Sequence, residues 1–600
     1  MMRDGAVTCL PCLMTKSFEG DMANRFRKRA MLNLLLAGSM VATFTSQAAF
    51  AQLNPDALRE AFRVAPRPGM MPHGAKLYPG SSLNGVPGFP LPTIHTQKAY
   101  DPQDSFTARW TRADAMQIKA HSDTSAGAGK NSLPEQLVMP DVPADFPATN
   151  PDVWVWDTWT LIDKKANQFS YNGWEVIFCL TADKNAGYGF DDRHTHARIG
   201  YFYRRAGIPA SRRPTNGGWI YGGHLIPEGA QEQVFAGTTY TITAEWSGSM
   251  RLLDPTSNKV SLFYTDMAFN RNAAGQDITP SQAVITQSLG QIHADFNHVW
   301  FTGFTQHTPL LRPDGVLYQN GAQNPYYNFR DPFTFEDPQH PGTNYMVFEG
   351  NTPGERGLAN CTAEDLGYRA NDPHAETVQQ VLNTGAYYQK AAIGLAVAEN
   401  GSLSKWKFLS PLIEANCVND QTERPQMYIK DGKYYIFTIS HRTTYAAGVD
   451  GPDGVYGFVG NGIRSDFQPM NYGSGLMLGN PTNLNIAAGT DYDANPDQNP
   501  RAFQSYSHYV MPGGLVESFI DTVEGRRGGA LSPTVKVRIR GDASIVDTRY
   551  GNNGLGGYGD ISANRADINI VGFIQDLISQ QKQIGPDVNA RMKAFLTTQQ

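Results

Sequence analysis

From Val153 onward the sequence predicts an all-β fold, and three observations carry the prediction. Apolar and aromatic runs are short there, and β-branched and aromatic side chains dominate them. Gly, Asn, Asp and Pro fill the gaps, the residues that tight turns require. Sustained helical periodicity is confined to the far C-terminus, at Ile570 to Gln583 and again at Val588 to Leu596.

Taken in chain order, residues 1–51 read as a targeting segment. Arg25, Arg27, Lys28 and Arg29 form a basic stretch after an internal start at Met22, Met31 to Phe44 is an apolar core, and Ala49-Phe50-Ala51 is a small-x-small cleavage site. A membrane anchor is the rival reading. Ser39, Thr43, Thr45, Ser46 and Gln47 interrupt the run before it reaches the roughly 20 residues a bilayer needs, so export to the outside through the periplasm is expected. Met1 to Asp21, with Cys9 and Cys12, has no matching logic.

Residues 52–150 are expected to form an N-terminal arm and a first helix packed on a catalytic domain at 151–600. Arg63 to Asp101 is rich in Pro and Gly without sustained period and reads as a surface arm, and Asp104 to Ala120 as a short helix. Strands are expected at Trp174 to Leu180, Arg198 to Tyr203, Thr239 to Trp246, Val260 to Tyr264, Tyr345 to Phe348, Ile393 to Val397, Tyr434 to Ile439 and Thr534 to Ile539. No repeat period is visible, so sandwich, barrel and propeller all stay open on periodicity.

Charge and cysteine content narrow the function. The net charge is −6 with no basic tract outside the leader, which argues against nucleic acid as a partner. Aromatic residues at 11%, with many Gly and Asn, suit carbohydrate better. Of the cysteines beyond the leader, Cys179 lies in the apolar run Val176 to Leu180 and is expected as a buried thiol. That leaves Cys361 with Cys417, a pair whose closed loop would stabilise an exported fold by about 4 kcal/mol.

Three separate loops are expected to deliver one acidic group each: Asp157 in Trp156-Asp157-Thr158-Trp159, Asp331 in Arg330-Asp331-Pro332, and Glu423 in Glu423-Arg424-Pro425. A glycosidic bond breaks through a cationic transition state, which calls for one carboxylate as nucleophile and one carboxyl as proton donor, and aromatic faces then hold the sugar. Other motifs carry less. His194-Thr195-His196 would put both imidazoles on one side of a strand, but no third metal ligand stands at a suitable spacing. Asp491 to Asn495 starts like a calcium loop, yet Pro496 and Ala502 stand where Gly and Glu are needed. Gly551 to Gly559 lacks the strand, helix and acid of a dinucleotide fold.

At these residues the chain resembles a family. Trp156-Asp157-Thr158-Trp159, Glu245-Trp246-Ser247-Gly248, Phe329-Arg330-Asp331-Pro332, Val347-Phe348-Glu349-Gly350 and Asp420-Gln421-Thr422-Glu423-Arg424-Pro425 occur in the order found in bacterial levansucrases of glycoside hydrolase family 68. The Cys361 and Cys417 pair and the Asp420 to Pro425 form look most similar to those of Gram-negative acetic-acid bacteria. The resemblance implies a five-bladed β-propeller with a central funnel-shaped pocket, and transfer of the fructosyl unit of sucrose to levan, to short fructo-oligosaccharides or to water. It implies no cofactor, no membrane contact after leader cleavage, and a monomer. In Gram-positive relatives an Asp matching Asp420 helps hold calcium, but here the disulfide braces that region and no obligatory metal is expected. An invertase or inulosucrase on the same fold, or a non-catalytic sugar-binding propeller, are the competing readings.

Roles follow from chemistry and resemblance together. Asp157 would be the nucleophile and Glu423 the acid and then the base. Asp331 would hold fructosyl hydroxyls. Trp156 and Trp246 would wall the sugar site, while Ser247, Arg330 and Glu349 bond its hydroxyls and Arg424 points toward Asp331 or substrate. His441 stands where Gram-positive relatives present an Arg toward the acceptor, and is expected there as a mostly neutral ring near pH 7.

Overall fold

The computed structural model describes residues 93–561, apart from 169, 229–230, 236–237, 255–256, 272–276, 357–360, 369–374, 385 and 487–498. The leader, most of the expected arm, the Asp491 to Asn495 loop and the C-terminal helical segment lie outside the described residues. All described residues belong to one unit, Lys76–Gln600.

Strands dominate. Seven of the eight expected runs fall inside single strands, among them Trp174–Asp183, Asn344–Asn351 and Lys433–Ser440. Thr239 to Trp246 instead spans two, Thr238–Ile242 and Ala244–Leu252, because Thr243 leaves the first hairpin to bond Met267. The helix expected at Asp104 to Ala120 is also corrected. Ala108–Arg109 is a short strand paired in parallel with Ile413 and Glu414, followed by single turns at Arg112–Ala115 and Gln117–Ala120. Thr111 explains the break: its hydroxyl accepts from the Asp114 N–H while the Asp114 carboxylate accepts from the Thr111 N–H, a reciprocal cap that starts a helix there.

Among the described residues, and besides the separate hairpin of Gln231–Phe235 with Thr238–Ile242, five antiparallel runs of strands follow one another. They open at Val153–Ile162, Ala244–Leu252, Phe329–Glu336, Glu423–Lys430 and Ser505–Val510. The first two runs join into an eight-stranded sheet through parallel pairing of Leu161 with Met250 and Ile162 with Arg251. Most strands after each opening pair with their sequence neighbours, and Asn344–Asn351 and Lys390–Ala398 do so across a connection that carries the short helices Ala363–Leu366 and Ala375–Leu382. Aromatic packing fills the space between, with Trp159 over Phe178 and Tyr318 against Phe329, Phe348 and Phe408.

Every opening strand is bulged at the same stage. Register shifts occur between Trp156 and Trp159, Trp246 and Gly248, Arg330 and Phe333, Glu423 and Gln426, and Tyr506 and Tyr509. In four of the five, the residue just after the shift begins takes a left-handed backbone: Asp157 (φ 44°), Asp331 (φ 63°), Arg424 (φ 48°) and Ser507 (φ 53°). A side-chain-bearing residue held there costs on the order of 1–3 kcal/mol, a strain that clusters at functional sites. A bulge re-aims side chains that a regular strand would send to opposite faces.

The described end of the arm is tied down. His95 is buried between the carboxylates of Asp114, 3.1 Å from Nε2, and Asp466, 3.0 Å from Nδ1. Burial opposes its charge, but the two carboxylates outweigh burial and raise its pKa to about 9. Cys361 and Cys417 are joined, with Cα atoms 5.8 Å apart, and Cys179 is a buried free thiol.

Candidate active site

The bulges converge on a cavity of about 360 Å³, the size of a small-sugar site. Every run contributes to its wall: Trp156 and Asp157 from the first, Trp246 from the second, Arg330 and Asp331 from the third, Glu423 from the fourth, Tyr506 and Ser507 from the fifth. The acidic groups therefore sit on bulged strands, not on the loops expected from the sequence.

Asp157 is held by hydroxyls. Ser247 donates to its Oδ2 at 2.5 Å, and Ser507 donates to its Oδ1. Neutral donors fix the carboxylate's direction without pairing off its charge in an ion pair, which suits a nucleophile. Glu423 is held differently. The Arg330 guanidinium donates to its Oε1 at 2.7 Å and the Tyr506 hydroxyl to its Oε2.

Arg330 is itself clamped. Its Nε lies 2.7 Å from Glu349 Oε2 and 3.8 Å from Asp331 Oδ2. Burial works against the guanidinium charge, but Glu349, Glu423 and Asp331 together more than offset it and hold the cation. Glu349 is fully buried behind Arg330, so it orients the arginine instead of touching sugar as expected.

Asp331 accepts the Arg424 backbone N–H at 3.0 Å, and its own N–H donates to the Thr265 hydroxyl at 3.1 Å. Burial raises its pKa to about 7, helped by Asp157 and Glu423 and resisted by Arg330 and Arg424. Arg424 departs from the expected sugar contact. Its side chain is buried and donates to the carbonyls of Thr158 and Ser507, directly beside Asp157 and its hydroxyl partner. The cation facing Glu423 is Arg330.

Trp156 and Trp246 both line the cavity, as expected. Trp246 is anchored by its indole N–H to the His194 carbonyl at 2.9 Å, and Arg193 lies over the Trp156 ring, 5.3 Å from its centroid. His194 and His196 lie on a 3-10 helix, Phe190–His196, not on a strand. Successive side chains therefore diverge: His194 lines the cavity edge-on to Trp156, and His196 stacks on Tyr188. No group of three or more His, Cys, Asp or Glu able to hold a metal occurs among the described residues.

His441 lines the cavity too, with Nδ1 2.9 Å from Asp453 Oδ2. Burial lowers its pKa, but the Asp453 carboxylate overrides this and the net shift is upward. The sequence reading of a mostly neutral ring did not foresee this carboxylate partner, which favours the charged form. Tyr506, Ser507, Asp521 and Gln421 line the cavity without having been singled out. The one available signal for Tyr506 and Ser507 was a polar strand, Ser505–Val510, whose every residue is buried.

Comparison with known proteins agrees with this geometry. The family model described as Levansucrase/Invertase, glycoside hydrolase family 68, matches residues 99–562. The chain is 76% identical over 559 residues to a levansucrase of Gluconacetobacter diazotrophicus, covering 93% of this chain and 96% of the relative. A crystal structure of levansucrase from that organism superposes with a TM-score of 0.78 at 79% identity, covering 82% of this chain and 100% of the other. A full-length β-fructofuranosidase of Microbacterium saccharophilum K-1 is 56% identical with a TM-score of 0.75, covering 79% of this chain and 89% of the other. Motifs, bulged site strands and these matches meet in one conclusion: the chain belongs to the levansucrase/invertase family, glycoside hydrolase family 68.

Proposed function

We propose that the chain is a sucrose 6-fructosyltransferase, a levansucrase that builds β-2,6-fructan and short fructo-oligosaccharides and releases fructose when water is the acceptor. The observation that carries the reading is the pairing of a hydroxyl-held carboxylate, Asp157, with a second carboxyl, Glu423, on one cavity wall. A sugar-binding module has no need of both.

In the first displacement an Asp157 oxygen bonds the anomeric carbon of the fructosyl unit while the glycosidic bond breaks. Glu423 gives its proton to the departing glucosyl oxygen. In the second, an acceptor hydroxyl bonds the anomeric carbon, the Asp157 ester breaks, and the acceptor's proton returns to Glu423. Two inversions give retention. Asp331 contributes charge where the cation develops, and Arg330 holds Glu423 in line. Five antiparallel strand runs, each supplying its opening strand to the cavity, support a five-bladed propeller with a central pocket. The leader supports export, and no helix among the described residues is long and apolar enough to cross a membrane.

Purified protein incubated with sucrose tests the reading. Free glucose in excess of free fructose is expected, because transferred fructosyl units do not appear as fructose. Equal amounts would make the chain a β-fructofuranosidase, and release of neither sugar would leave a binding module.

A further inference from the structure

The strands Lys433–Ser440 and Gly454–Gly460 pair up to Ser440 with Gly454, and one step beyond that pair His441 faces Asp453. Asp453 is 1% exposed and does not line the cavity. Its Oδ2 lies 2.9 Å from His441 Nδ1, and its Oδ1 accepts the Arg442 N–H at 2.7 Å. The other side of the imidazole stacks on Tyr506, centroids 3.5 Å apart with planes 17° from parallel. That phenol hydroxyl donates to Glu423. Asp453, His441, Tyr506 and Glu423 therefore form one connected line from the fold to the acid.

We propose that Asp453 is a positioning residue that orients His441 through Nδ1 at the cavity wall, so that the ring holds acceptor sugars there. The proposal deepens the fructosyl-transfer reading and rests on it. Asp453 is a carboxylate in direct hydrogen-bond contact with the ring. Glu423 on Glu423–Lys430 and Asp521 on Leu515–Val523 favour the cation. Burial opposes it, and the cations Arg193 and Arg330 share the same cavity, whereas burial holds His194 on the 3-10 helix and His508 on Ser505–Val510 toward the neutral ring. A cationic donor grips a hydroxyl more firmly than a neutral one, so its loss releases acceptors and lets water compete.

Asp453→Asn in the full chain is the test, since the amide keeps the volume and an acceptor for the Arg442 N–H. Glucose release from sucrose should fall less than the ratio of transfer to hydrolysis does, because Asp453 reaches the sugar only through His441 and Tyr506. The ratio of transfer to hydrolysis should fall by about three- to tenfold, the loss of one charge-assisted contact. The pH at which that ratio declines should also move down, and Asp453→Glu should restore part of it. An unchanged ratio and pH profile in Asp453→Asn would overturn the proposal. Should that variant not fold, the ring titration of His441 decides, read in the parent by NMR of 13C-labelled histidine and assigned by signal loss in His441→Ala. A midpoint above that of an ordinary histidine is expected, and one at or below it overturns the proposal. Failure to cleave sucrose would sink the transferase reading, while the titration would still judge Asp453.

Discussion

Asp157 and Asp331 occupy the same backbone device and are put to different uses. Each follows a residue still paired across its sheet, Trp156 with Leu180 and Arg330 with Glu349, and each turns left-handed where the register slips. The surroundings then diverge. Asp157 receives two serine hydroxyls, whereas Asp331 receives a backbone N–H and lies near a clamped arginine. The bulge delivers a carboxylate to the cavity, and its neighbours give it either hydroxyl donors or a nearby cation; the proposed roles of attack and charge support follow that difference.

Substitutions should separate the two. Asp157→Asn keeps an acceptor for one of the two serine hydroxyls but removes the attacking carboxylate, so turnover of sucrose should fall by roughly 10⁴-fold or more while sucrose still binds. Calorimetry with sucrose alongside a glucose-release assay reads both. Binding lost together with turnover would mean that Asp157 serves the fold or the ground state.

Glu423→Gln should cost about 10²- to 10⁴-fold on sucrose, the usual worth of a general acid. An activated fructoside, whose leaving group needs no proton, should release that group with a much smaller loss. Equal losses on both substrates would take Glu423 out of the acid role.

Asp331→Asn should lower kcat and, unlike Asp157→Asn, raise thermal stability at neutral pH. The sign follows from its raised pKa. The folded state binds the Asp331 proton more tightly than the unfolded chain does, so the stabilisation this gives is complete below the ordinary carboxyl value of 3.8 and is lost as pH climbs through about 7. An asparagine does not ionise and escapes that loss. A melting temperature that drops at pH 7 but not at pH 4 would reverse the conclusion.

The smallest effect on catalysis should come from the disulfide. Cys361→Ser opens a loop of 56 residues and should cost about 4 kcal/mol of stability, with sucrose affinity little changed. Denaturant unfolding measures the first and calorimetry the second. An unaltered unfolding midpoint would mean that the bond constrains little of the unfolded chain.

The sequence revealed the strands because most are dense in β-branched and aromatic side chains, and the carboxylates because each stands in a compact motif with an aromatic or cationic neighbour. It misplaced those motifs in loops, since nothing in Trp156-Asp157-Thr158 announces a bulge inside a strand. The Glu349 and Arg424 roles were misjudged for a related reason. Polar residues beside a motif look like ligand contacts, but burial turned both toward the protein. Ser507 lies far along the chain from Asp157, and only the fold brings it there, whereas Asp453 meets His441 across the turn between two paired strands.

Capture of the fructosyl-enzyme tests the central claim most directly. Glu423→Gln supplied with an activated fructoside should form the intermediate readily and discharge it slowly, for want of a base. After acid quench and proteolysis, mass spectrometry should find one fructosyl unit on the peptide containing Asp157. Release of the leaving group with no such adduct, or an adduct on the peptide containing Asp331, would contradict the account.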